Sequence, residues 1–263
     1  MRCPNGLSLT MVAILAAAIG CARSEKDRPL VVGMELAYPP FEMTDTNGQP
    51  AGISVEIARA LAEYLGRPLR IENIPFDGLI PALKTGRIDL ILSSMTATEE
   101  RARSIDFSDP YLQVGLALLI HAGSDVRSVS DLNAPGRRVA VKLGTTGELY
   151  AKEHLPLADV HVLREESACV LEVIQGKADA FIYDQMSVYN HWRRNPDATR
   201  PNLEPIRRES WAIGIRKGND ALRDKVNAFL ADFRAKGGFE DLGNRYLTDM
   251  KSYFIGEGIP FVF

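Results

Sequence analysis

The feature that most limits how this 263-residue chain can fold is an alternation of short, β-rich apolar runs with helical patterns, which starts, breaks and starts again. Leu30 to Met34, Leu69 to Ile74 and Ile88 to Leu92 have the length and β-branched content of strands, with helical patterns near Ile53 to Leu65 and Gly78 to Lys84 between them. A helix between two strands supplies the crossover that parallel neighbours need, so the chain reads as α/β with a largely parallel sheet. Ile53, Ile57, Leu61 and Leu65 recur at helical spacing and Gly66 follows as a stop. Asp77 is placed to cap the next helix, Pro81 falls within its first turns and Gly86 ends it.

The continuous apolar run Val114 to Ile120 predicts a buried strand that crosses out of a first lobe, after which the pattern begins afresh. Strand Val139 to Val141 leads through Gly144-Thr145-Thr146-Gly147-Glu148 into a helix through Ala151, with Thr145 and Glu148 at capping-box spacing. Strand Val160 to Leu163, helix Ala168 to Gln175, the stop at Gly176 and strand Ala180 to Tyr183, ending at Asp184, follow. Near Arg207 to Ile215 the chain returns, and a helix from Ala221 to Phe233 follows. Two crossings imply two lobes and a hinge, with residues 29–113 and 208–250 in lobe 1 and 114–207 in lobe 2. The tail 251–263, apolar at Phe254, Ile255, Ile259, Phe261, Val262 and Phe263, is expected to pack on a lobe.

At the other end, Arg2 precedes an apolar run from Leu9 to Ile19, too short for the roughly 20 residues that span a bilayer, so residues 1–20 read as an export signal peptide. Ala18-Ile19-Gly20-Cys21 resembles the lipobox of bacterial lipoproteins, although Ala18 stands where leucine is usual. Cys21 would then carry lipid and residues 21–28 would form a tether in the periplasm or at the cell surface; ordinary cleavage nearby is the alternative. Cys169 is the cysteine left over, within an apolar helical pattern that predicts a core thiol and no disulfide. A net charge of −3 without a basic stripe argues against nucleic acid. The four histidines are scattered, no phosphate loop is formed, and neither metal nor cofactor is expected.

The chemistry is most readable in Ser93-Ser94-Met95-Thr96-Ala97-Thr98-Glu99-Glu100-Arg101, running on to Ile105-Asp106-Phe107-Ser108-Asp109-Pro110-Tyr111. A strand ends in hydroxyl residues, Thr96 or Thr98 can cap a helix start, and an arginine falls in the first turn, where the helix dipole opposes it. A ligand carboxylate would satisfy both the arginine and the orphan N–H groups. On charge spacing alone, an ion pair of Arg101 with Glu99 or Glu100 on a solvated face accounts for the pattern as well.

Together with Tyr38-Pro39-Pro40-Phe41-Glu42, Phe76-Asp77-Gly78-Leu79-Ile80-Pro81-Ala82-Leu83, Lys142 to Thr146 and Ala178 to Asp184, this segment resembles the family 3 bacterial extracellular solute-binding proteins, the receptors of polar amino acid ABC transporters, from Leu30 to about Leu247. The resemblance implies a two-lobed, type II periplasmic-binding-protein-like fold that closes about a hinge on a free amino acid and delivers it to a membrane permease. It implies that Arg101 pairs with the ligand α-carboxylate, that Ser93, Ser94 and Thr96 add hydrogen bonds, that Thr145 and Thr146 serve the same carboxylate from the second lobe, and that Asp184 accepts from the α-ammonium. Without it, Asp184 after a strand reads as a helix cap, and Tyr38 and Phe76 as core rather than as walls of a pocket. Glu35 and Lys142 in one pocket suggest a polar amide such as glutamine. A basic ligand is the alternative, with Glu35 meeting a guanidinium and Lys142 turned to solvent.

No catalysis and a monomer are expected. Cyclohexadienyl or arogenate dehydratases resemble the same family, yet the acidic residue expected three positions after Asp184 is here Ser187.

Overall fold

The computed structural model describes residues 28–260; the expectations for residues 1–20, for Cys21 and the tether up to residue 27, and for Phe261, Val262 and Phe263 lie outside the described residues. The first half runs β1 (Leu30–Met34), β2 (Ala37–Tyr38), β3 (Glu42–Thr44), β4 (Pro50–Ala51), α1 (Ile53–Tyr64), β5 (Leu69–Asn73), α2 (Phe76–Thr85), β6 (Leu90–Ile91), α3 (Glu99–Ala102) and β7 (Ile105–Phe107). It continues with β8 (Leu112–His121), a 3₁₀ turn at Val129–Leu132, β9 (Arg138–Lys142), α4 (Thr146–His154), β10 (Asp159–Leu163), α5 (Glu166–Ile174), β11 (Ala180–Asp184), α6 (Gln185–Arg194), β12 (Thr199–Trp211) and β13 (Gly214–Arg216). Three helices close the chain: α7 (Asp220–Ala235), α8 (Gly238–Tyr246) and α9 (Thr248–Gly256).

Two α/β lobes joined by a hinge region result, in the type II periplasmic-binding-protein arrangement. One is built on a sheet of order β5-β1-β6-β13-β7, the other on a sheet of order β10-β9-β11-β8-β12, and β2, β3 and β4 form a small sheet of their own. The chain passes from the first sheet to the second between Phe107 and Leu112 and returns between Trp211 and Gly214.

Alternation along the central strands explains why each sheet is covered on both faces. In β1, Leu30, Val32 and Met34 join the cluster holding Ile53, Ile57 and Leu61 of α1, while Val31 joins Leu79 and Leu83 of α2. In β9, Val139 and Val141 meet Ala151 of α4, whereas Ala140 belongs with Cys169, Val170 and Val173 of α5. Cys169 is fully buried, and burial pushes its thiol up to about 12, which makes it an inert packing group.

The expectation of a largely parallel sheet fails in both lobes. In the first, β1 pairs in parallel with β5 and β6, but the returning strand β13 runs antiparallel to both β6 and β7. The second follows the same division: β9 pairs in parallel with β10 and β11, but β8 runs antiparallel to both β11 and β12. The crossing run pairs with the returning one, and two strands that leave and re-enter a lobe at one edge must run in opposite directions.

At the C-terminus, α9 buries Met250 and Phe254, and Tyr253 lies 5.0 Å from Tyr189 and 5.5 Å from Trp192 of α6. Ile255, one residue and a quarter turn further round, is 64% exposed.

Gly147 fixes how closely α4 lies on the second sheet, because an added Cβ there would collide with the backbone carbonyl oxygen of Ile182 in β11. Gly147→Ala is expected to lower stability by about 1–3 kcal/mol, read as a drop in midpoint during thermal unfolding. An unchanged midpoint would mean that α4 is free to shift.

Candidate functional site

Residues at the carboxyl ends of the central strands converge on one cavity between the lobes, the usual place for a ligand on open α/β sheets. Glu35 follows β1, Ser93 and Ser94 follow β6, and Asp184 ends β11; all of them line it, with Tyr38, Phe76, Thr96, Arg101, Thr145 and Thr146.

Arg101 is buried, 8% exposed, so the solvated-face reading does not describe it. Nη1 donates to the carbonyl oxygen of Thr96 at 2.7 Å, and Nη2 donates across the cleft to that of Gly144 at 2.9 Å. Neither acceptor is charged. Burial pulls the guanidinium down to about 10, against the field of Glu209, so this is a cation short of a full countercharge. Its carbon lies 5.4 Å from the centre of the Phe76 ring, which makes Phe76 a wall of the site.

Thr98, rather than Thr96, caps α3 by accepting from the Arg101 N–H at 3.2 Å. The Thr96 hydroxyl instead donates to Glu209 Oε2 at 2.8 Å, and the Thr146 hydroxyl reaches the same oxygen from the other lobe at 2.9 Å. Thr145 caps α4 and donates to the Lys142 carbonyl at 2.7 Å, so its hydroxyl serves the helix start.

Glu35 and Lys142 pair with each other across the cleft, both buried. Lys142 therefore does not turn to solvent, and it stands behind Glu35 rather than on the cavity wall. Glu35 also accepts from the Phe76 N–H at 3.2 Å, while its own N–H donates to the Ser93 hydroxyl at 3.0 Å.

Asp184 is both cap and wall. Its Oδ1 accepts from the N–H groups of Met186 and Ser187 at the start of α6 and, at 2.6 Å, from the Tyr38 hydroxyl of the opposite lobe. Among the described residues no hydrogen bond falls on Oδ2. Burial pushes this carboxyl up to about 7. The Tyr38 ring stacks on Phe41 at 5.5 Å and meets Trp211 edge-on at 5.9 Å, so it is core on one side and pocket on the other.

Glu42, Glu209, Tyr183 and Trp211 also line the cavity, and sequence reasoning did not assign them to it. Glu42 is 1% exposed and accepts from the hydroxyls of Ser54 at 2.6 Å, Ser94 at 3.2 Å and Ser93 at 3.4 Å. Ser94 takes a left-handed backbone, φ 47°, that a non-glycine residue adopts rarely. No cationic side chain lies within ion-pair distance of Glu42 among the described residues, and burial pushes its carboxyl up to about 8. Its signal was the glutamate closing Tyr38-Pro39-Pro40-Phe41-Glu42.

Residues 30–249 match the family described as bacterial extracellular solute-binding proteins, family 3. The chain belongs to that family. It is 34% identical over 233 residues to the L-arginine-binding protein of Pseudomonas aeruginosa, covering 84% of this chain and 89% of the relative. Among solved structures, it is similar to an ancestral arginine-binding protein bound to arginine, with a TM-score of 0.79, 33% identity, and coverage of 84% of this chain and 99% of that one. It is also similar to a binding component of an ABC transporter from Wolinella succinogenes complexed with lysine, with a TM-score of 0.78, 34% identity, and coverage of 85% and 97%. This family member is thus an extracytoplasmic solute-binding protein of the amino-acid ABC transporter type, which captures a free amino acid for a permease. Ser187, at the position where the dehydratase reading required an acid, donates to Glu166 Oε1 at 2.5 Å.

Proposed function

We propose that the solute is a basic L-amino acid of the arginine or lysine type. The observation that carries this reading is Glu42. Glu35, Glu42, Asp184 and Glu209 line the cavity, and Arg101 is the cationic side chain among its lining residues. Glu35 has Lys142, Glu209 has Arg207 at 2.8 Å, and Asp184 offers Oδ2 to an α-ammonium while Arg101 offers its charge to an α-carboxylate. Glu42 is left with hydroxyl donors and no cation. A ligand that brings a second positive charge fills that place, and a buried carboxylate gains far more from a partner than an exposed one. The family members named above as binding arginine or lysine support the same assignment.

The glutamine reading rested on Glu35 and Lys142 together in the pocket, and the basic alternative on Glu35 meeting a guanidinium with Lys142 in solvent. Since Glu35 and Lys142 neutralise each other, the argument for an amide falls away. Their pairing removes the second argument too, so the basic reading stands on Glu42 instead. Contacts from both lobes to one ligand favour closure, as the bound form then gains differential stability over the open one. Thermal shift against L-arginine, L-lysine, L-histidine and L-glutamine tests the class, because a ligand of the folded state raises the midpoint. The basic amino acids are expected to give the large shifts. A shift with glutamine and none with arginine or lysine would overturn the proposal.

A further inference from the structure

The hydroxyls of Thr96 and Thr146 come from opposite lobes, and both donate to one oxygen of Glu209, at 2.8 and 2.9 Å. Glu209 lies on β12, opposite Val114 of β8, and its side chain is 3% exposed. Its other oxygen accepts from Arg207 Nη2 at 2.8 Å and Nε at 3.2 Å, and it is the strongest opposite charge acting on Arg101. A carboxylate of the protein therefore sits among the groups, Arg101, Thr96 and Thr146, that the proposed clamp offers to the carboxylate of the ligand.

Two carboxylates cannot share that place at low cost, since like charges repel strongly where water is excluded. We propose that Glu209 is a built-in surrogate of the ligand carboxylate, competing with it for the Thr96 and Thr146 hydroxyls and yielding by moving onto Arg207. Arg207 is suited to receive it, because its planar fork already holds Oε1 through two nitrogens and can take both oxygens side by side. Glu209 then determines specificity at the backbone end of the ligand. It lowers affinity for any ligand with a free carboxylate, and only a ligand whose carboxylate also pairs with Arg101 displaces it. It offers no such opposition to a neutral group.

The inference rests on the clamp of the preceding section but not on which side chain the ligand carries. Glu209→Gln keeps the shape and an acceptor oxygen while removing the charge, and calorimetry with L-arginine and L-argininamide on both proteins reads the effect. The variant is expected to bind L-arginine about tenfold more tightly, with no gain for the α-amide. Loss of L-arginine affinity, no change in it, or an equal gain for both ligands would overturn the proposal. Should the thermal-shift panel rank another amino acid first, that amino acid and its α-amide form the pair. A wrong side-chain assignment and a wrong role for Glu209 thus give separate readings.

Discussion

Glu42→Gln is expected to weaken L-arginine binding by about 3–5 kcal/mol, more than a hundredfold, while L-glutamine affinity changes by a few fold at most. The cause is the loss of the cavity carboxylate that, among the described residues, is left without a cation once Asp184 takes the α-ammonium. The fold should tolerate the change, because an amide oxygen can still accept from Ser54 and Ser94. The same residue sets a pH dependence. Glu42 titrates at about 8 in the folded protein, so near neutrality it is largely the neutral acid. A guanidinium or ammonium beside it favours the carboxylate, so binding expels a proton. Affinity for a basic amino acid therefore rises with pH up to about 8 and levels off above, by at most tenfold per pH unit for each proton released. Asp184, pushed up to about 7, adds to the same slope at lower pH for any amino acid. Calorimetry at several pH values checks this, and in Glu42→Gln the part of the slope between about 7 and 8 should vanish.

Arg101→Ala is expected to abolish measurable binding of every amino acid, a loss of about 3–5 kcal/mol or more, while thermal unfolding remains cooperative. The guanidinium meets two carbonyl oxygens and no carboxylate among the described residues, so its removal takes away a desolvated charge rather than an ion pair. Arg101→Lys should restore little, since a single ammonium cannot span the Thr96 and Gly144 carbonyls and also pair side by side with a ligand carboxylate. Near-normal affinity in either variant would place the α-carboxylate elsewhere.

Local pattern carried much of the fold. Helical spacing in α1, the glycine after it and the strand-like runs were visible in Leu30 to Leu92 because each depends on neighbours within a few residues. The antiparallel pairings of β12 with β8 and of β13 with β6 and β7 each join segments far apart in the chain, so neither sheet could be drawn correctly. The site shows the same division. Arg101, Asp184 and Thr146 stood out by type and position, but Glu35 and Lys142 are 107 residues apart and their union is a product of the fold. Sequence leaves Thr96 and Thr98 as equal candidates to cap α3; the cap is Thr98, which leaves the Thr96 hydroxyl to reach Glu209 across 113 residues. Glu42 and Glu209 carry no local mark of burial, and only the absence of a cation near the first, and the two converging hydroxyls at the second, give them meaning.

A cavity that holds the charge of a basic side chain distinguishes L-arginine from L-citrulline, which has nearly the same shape and no charge, and that comparison is the most direct measurement. Calorimetry at pH 8 is expected to show L-arginine bound at least about a hundredfold more tightly. Equal affinity for the two would contradict the account, because Glu42 would then have no cation to meet.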